Sequence, residues 1–194
     1  MKAVEVIVTD KNGKTIYKTG YNLDLYEEYI KRNTNDLTTL WLRRFYISLF
    51  TPLVRSQGVT FTFTDTTGTV RTQDLKVNIG ATPLFLNTYA CSNRFWISYG
   101  SSSTTPSPTD YRLGNKIDEG VATATVSETT GIMTFSVSFT ISNDITIYEV
   151  GLEWEATVAG TATCGRFLVD RTVFPEGITV LAGQVLTIIY RFVL

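Results

Sequence analysis

The chain has 194 residues, a formal net charge of -1 and 18% charged side chains, so it lacks the basic field that would hold nucleic acid by counterion release. Apolar residues make up 43% and aromatics 12%, the composition of an ordered protein with a hydrophobic core rather than of a disordered one. The length suits one sizeable β-sandwich carrying a small helical element, and a separate second domain would be cramped.

The chain opens with Val4, Val6 and Val8 alternating with Glu5, Ile7 and Thr9, not with the continuous apolar stretch of a signal peptide. Around Lys11-Asn12-Gly13 the two runs Val4 to Thr9 and Lys14 to Thr19 predict a β-hairpin, because Asn-Gly readily supplies the positive φ of a tight turn. The period then changes. Leu37, Leu40, Trp41, Phe45 and Leu49 fall near one helical face, with Thr34, Asn35 or Asp36 to cap the start and Pro52 to stop it, which predicts a helix over Asp36 to Phe50. A shorter helix is expected over Leu23 to Arg32. Arg43 and Arg44 would flank the apolar stripe of the second helix and snorkel to water.

From Val59 the period is two, and the Asp65 to Gly68 turn predicts a second hairpin with Thr69 to Asp74. Leu75 to Arg94 offers one strand candidate, Lys76 to Ile79, within a long excursion. Six strands follow: Phe95 to Tyr99, Val121 to Glu128, Met133 to Ser142, Ile145 to Glu153, Cys164 to Phe174 and Val185 to Leu194. Turn chemistry separates them at Glu128 to Gly131, Ser142 to Asp144, Val158 to Gly160 and Pro175 to Gly177. Regular strands with regular turns predict a mainly β fold, an antiparallel, jelly-roll-like β-sandwich with an N-terminal β-hairpin and one or two α-helices. A single domain over residues 1–194 is expected, the alternative being a hairpin-helix module (1–80) and a β-sandwich (81–194). The longest apolar run, Leu186 to Leu194, is about half of the roughly 20 residues a membrane-spanning helix requires, so no membrane insertion is expected.

The sequence contains no histidine, which excludes Ser-His-Asp and Cys-His nucleophile systems and imidazole metal sites. Neither glycine-rich phosphate-binding motif occurs. Glycoside hydrolysis would need two facing carboxylates, and Glu149, Glu153, Glu155, Asp118 and Glu119 form the one dense acidic cluster. Glu149, Glu153 and Glu155 share strand parity opposite to Tyr148, Val150, Leu152 and Trp154, so they are expected to form the wet face of an ordinary strand. Asp65, Asp110 and Asp118 lack calcium-loop spacing and read as turn residues. No catalytic residue, metal or cofactor is expected.

Cys91 and Cys164 stand far apart without a C-x-x-C neighbour; two buried thiols and one disulfide are both open readings, and a bond would stabilise the fold by about 2–4 kcal/mol. Tyr89, Trp96, Tyr99, Tyr111 and Trp154 surround the Ser/Thr/Pro loop from Gly100 to Asp110. Of these, Trp96, Tyr99 and Tyr111 are candidates to contact a partner protein, a host-surface glycan or a receptor, against the plainer role of core packing.

The last hundred or so residues carry an ordered set of segments: Phe95 to Gly100, the loop Ser101 to Asp110, Leu113 to Ile117, the strand pair Val121 to Ser142, Ile147 to Leu152, Arg166 to Phe174 and Leu186 to Leu194. This arrangement resembles jelly-roll-like structural proteins of tailed phages and of archaeal viruses, the capsid, turret, adapter and tail components. The resemblance implies a non-enzymatic virion protein, made in the host cytoplasm, that assembles as a homo-oligomer with other virion proteins. A charge-poor, hydroxyl-rich β surface suits the broad faces of such closed assemblies. The alternative is a carbohydrate- or receptor-binding β-sandwich module.

Overall fold

The computed structural model describes residues 2–21, 60–74, 94–107, 109–127, 132–157 and 164–193. Both expected helices, the Lys76 to Ile79 strand, the turns at Glu128 to Gly131 and Val158 to Gly160, and Arg43, Arg44, Tyr89 and Cys91 lie outside these residues. The described residues are built from β-strands.

The opening hairpin forms as its Asn-Gly turn predicts. Strands β1 (Lys2–Thr9) and β2 (Thr15–Tyr21) are antiparallel. Asp10 closes the turn by accepting the N–H groups of Asn12 at 2.8 Å and Lys14 at 2.9 Å, and Gly13 takes the φ of +80° that a side chain would resist. The second hairpin, β3 (Thr60–Thr64) with β4 (Val70–Asp74), forms a small sheet of its own.

The remaining strands are β5 (Phe95–Gly100), β6 (Lys116–Val121), β7 (Thr123–Ser127), β8 (Ile132–Thr140), β9 (Ile145–Thr157), β10 (Cys164–Val180) and β11 (Val185–Val193). They complete two antiparallel sheets, one in the order β2-β1-β11-β8-β7 and one in the order β10-β9-β5-β6. The hairpins β5–β6, β7–β8 and β9–β10 alternate between the sheets, and β11 inserts between β8 and β1.

Alternation along each strand decides which side chains meet between the sheets. Val4, Val6 and Val8, with Phe135, Phe139, Leu186, Ile188 and Tyr190, face Phe95, Ile97, Tyr99, Val150, Leu152, Ile178 and Val180 in one continuous core. Phe95 lies 4.3 Å from Phe135 between ring centroids, and Tyr99 meets Phe139 edge-on at 4.9 Å, so aromatic contacts tie the two sheets together. Each fully buried aliphatic side chain contributes about 1.5–3 kcal/mol of transfer free energy. The hairpin strand β1 is therefore integral to the sandwich.

Two expectations need correction. The segment Val121 to Glu128 is not one strand: β6 ends at Val121, Ala122 alone intervenes, and β7 begins in the other sheet, with the Ala122 N–H donating to the Phe95 carbonyl at 2.8 Å. The polar sequence of β6, KIDEGV, hides its strand character because it lies at a sheet edge, where little of it is buried. Pro175 to Gly177 does not end β10 either; the strand continues to Val180 by bulging between Val173 and Ile178, with Gly177 at φ +67°. Among the described residues no helix is long and apolar enough to cross a membrane.

Candidate functional site: a loop clamped to the second sheet

The outer face of the β10-β9-β5-β6 sheet is covered by the connection between β5 and β6, residues 101–115. Its polar sequence gives it no core of its own to bury. It is held instead by one carboxylate. Glu149, on β9 and 0% exposed, accepts the backbone N–H groups of Gly114 at 2.9 Å, Asn115 at 2.7 Å and Ser102 at 3.3 Å. Arg171 of β10 donates its Nε to the same carboxylate at 2.7 Å and its Nη1 to Asp110 at 2.9 Å. The two ends of the loop thus meet on one buried ion pair.

Burial alone would lower the Arg171 pKa, but the hydrogen bonds and charges of Glu149 and Asp110 raise it. The Asp110 carboxyl is held below the usual range by the Ser107 N–H and, against the effect of burial, by Arg171. Glycines let the loop lie close. A Cβ on Gly100 would stand 2.5 Å from Glu149 Oε1, and a Cβ on Gly151 would overlap the side chain of Leu113, which is buried in that space. At the tip of the loop Ser103 to Ser107 and Thr109 are exposed and present hydroxyls and a proline without a charge.

A second cluster lies further along the same face. Arg166 of β10 stacks its guanidinium 3.7 Å from the centroid of the Trp96 ring. It also pairs with Glu119 at 2.6 Å, and lies 3.7 Å from Glu153 and 3.9 Å from Glu155. Lys116 adds a pair to Glu119 at 2.5 Å. Burial would raise the Glu119 pKa, but Arg166 and Lys116 lower it overall. Glu153, 1% exposed, accepts the Ser98 hydroxyl at 3.0 Å, while its other oxygen has no hydrogen-bond partner.

The expectation that Glu149, Glu153 and Glu155 form a wet face is therefore wrong for two of them. Strand parity put them correctly on the face away from the core, but Glu149 and Glu153 are buried there beneath the loop and the basic side chains. The sequence signal for this was available in Arg166 and Arg171, two arginines on the strand paired with β9.

The candidate aromatic residues do not share a platform. Tyr99 is in the core, its hydroxyl pKa raised by burial and by Asp118. Trp96 has its face under Arg166. Tyr111, half-buried, stands against Gly68 in the β3–β4 turn, 3.6 Å from where a Cβ would be. Trp154 packs edge-on against Phe167 at 4.7 Å. Cys164, exposed at the start of β10, is disulfide-bonded. Asp65 and Asp110 both act within turns: Asp65 accepts the N–H groups of Thr67 and Thr69 at 2.9 Å, and Asp110 that of Ser107 at 2.9 Å.

In comparisons with known proteins, the chain matches no family model, no curated protein and no solved structure.

Proposed function

We propose that this chain is a non-enzymatic virion structural protein, a jelly-roll-like sandwich that assembles as a symmetric shell, turret, adapter or tail component. The observation that carries the reading is the clamped loop. A polar, charge-free tip that includes Ser103 to Ser107 and Thr109 is carried on a base fixed by Glu149, Arg171 and Asp110, so its presentation to a neighbour costs little ordering entropy. The pairing of β1 with β11 adds support, because it closes the first and last described strands into one sheet as a jelly-roll-like sandwich does. Of the acids that glycoside hydrolysis would need, Glu119 and Glu149 are engaged in ion pairs with Arg166 and Arg171, and Glu149 and Glu153 are shut away from solvent.

The test is native mass spectrometry of the purified protein at high concentration, together with a density map of the chain within an intact particle. A symmetric oligomer, or repeated copies in the particle, is expected. A strictly monomeric species that is absent from virions would refute the proposal.

A further inference from the structure

The two ends of the sandwich differ in how its strands are joined. At one end, marked by the pairs Thr9–Val185, Thr140–Val185 and Ile145–Val180, the turns 10–14, 141–144 and 181–184 join the strands through described residues. The strand ends next to undescribed residues lie at the other end, marked by the pairs Val4–Tyr21, Phe95–Trp154, Ser127–Ile132 and Thr157–Cys164.

The first end holds a cleft of ≈ 210 Å³ between β6 and the end of β8. Gly120 draws these strands together, since a Cβ there would stand 2.8 Å from Val137 Cγ2 and 3.2 Å from Phe139 Cε1. Beyond that contact Ile117 and Asp118 line the cleft from β6, Thr140, Ser142 and Asn143 line it from the β8–β9 turn, and the buried Tyr99 borders it from the core. Asp118 stands opposite Tyr99 in the β5–β6 register and accepts the Glu119 N–H at 2.8 Å through one oxygen. The turn is fixed from behind. The Ile141 N–H donates to the Gln184 carbonyl at 2.9 Å, the Gly183 N–H to the Ile141 carbonyl at 2.8 Å, and the Ala182 N–H to the Asp144 carboxylate at 2.8 Å. A cleft built on such a turn loses little entropy when something enters it.

The lining selects by chemistry. Asp118 carries its one charge and only accepts hydrogen bonds, whereas the Thr140 and Ser142 hydroxyls and the Asn143 amide both donate and accept. An anion would be repelled by Asp118, and a simple cation would leave the donors unused. A neutral sugar answers each group: its hydroxyls donate and accept, and its C–H face suits Ile117, which is 44% exposed. Burial and Asp118 raise the Tyr99 pKa, so the phenol bordering the cleft keeps its proton. The volume lies below the roughly 300–1,000 Å³ of sites for drug-sized ligands, which suits one ring rather than a chain of them.

We propose that this cleft binds one neutral hexose ring, with Asp118 accepting from its hydroxyls and Ser142 and Asn143 bonding to it from the facing turn. The site goes beyond the assembly reading and does not depend on it. Copies repeated in a symmetric particle would multiply a weak contact into firm attachment to a sugar-bearing surface.

Two-dimensional NMR of the full chain, titrated with the methyl glycosides of glucose, galactose and mannose and with glucuronic acid as an acidic probe, tests this. At least one neutral glycoside is expected to shift the amides of residues 117–118 and 140–145 with an affinity on the order of millimolar, and glucuronic acid to leave them in place. Asp118→Ala should weaken the binding by about tenfold, the loss of a charge-assisted hydrogen bond, while Thr105→Ala at the loop tip leaves it unchanged. The titration of the unaltered chain stands even if Asp118→Ala misfolds. No shift with any of the three glycosides, shifts confined to other residues, equal binding of glucuronic acid, or full binding by a folded Asp118→Ala would overturn the sugar site. Each of these results leaves the assembly reading to its own test by native mass spectrometry and the particle map.

Discussion

Arg171 Nε stands 2.7 Å from Glu149 Oε2 while its Nη1 reaches Asp110 at 2.9 Å, so one guanidinium from β10 bridges a strand of the sheet and the far end of the loop that covers it. Removing one member of such a buried pair strands the other charge. Arg171→Ala should destabilise the fold by about 3–5 kcal/mol, because the Glu149 carboxylate stays buried without its cation. Asp110→Ala, which removes the more exposed partner, should cost about 1 kcal/mol. Urea denaturation of the two variants checks the ranking, and limited proteolysis of Arg171→Ala should cut within residues 101–115 before any other described segment.

Leu113 supplies a second, apolar anchor for the same loop by lying in the space left by Gly151. Gly151→Ala should force Leu113 out and cost about 1–3 kcal/mol, the usual penalty for overpacking a filled site. Pairing it with Leu113→Ala should recover part of the loss, which a double-mutant cycle by thermal or urea melting will measure.

Acid sensitivity should appear at the β3–β4 turn. Burial would raise the Asp65 pKa, but the Thr67 hydroxyl, Arg71 and the N–H groups of Thr69 and Thr67 bring it down to about 2 from an ordinary 3.8. Since the folded value is depressed, this carboxylate contributes stability that is fully present above pH ~4 and is lost as the pH falls towards about 2. The contribution is about 2 kcal/mol. Stability measured from pH 5 to 2 should fall less steeply in Asp65→Asn, and a carbon-detected NMR titration should place the Asp65 midpoint near 2.

Trp96 and Arg166 should report on each other. With the guanidinium 3.7 Å above the ring, Arg166→Ala should expose the indole face and cost about 1–2 kcal/mol from lost cation–π and ion-pair contacts. Fluorescence quenching by acrylamide should increase in that variant and stay unchanged in Thr105→Ala, whose side chain lies at the loop tip.

The strands and their inner faces were readable because alternation is a local property: Met133 to Ile141 shows its period without reference to any other segment. Strand β6 was not, because an edge strand with little burial has no apolar period to display. The burial of Glu149 was harder to read for another reason. Parity places a residue on a face of a sheet, whereas the cover on that face comes from residues 101–115, about forty positions away in the chain and polar themselves. The hint that the outer face was occupied lay in Arg166 and Arg171 on the paired strand. The three aromatic candidates failed to converge for a similar reason, since strand neighbours Trp96 and Tyr99 differ in parity and so point to opposite sides of their sheet.

Ala122 has a structural consequence for how the chain finds its register. As the sole residue between β6 and β7, it makes those strands a common ruler for both sheets. With no slack at Ala122, a one-residue slip of β7 along β8 would have to move β6 along β5 as well and would displace Ala122 from its place against the core. The register of one sheet is therefore tied to that of the other through a single residue.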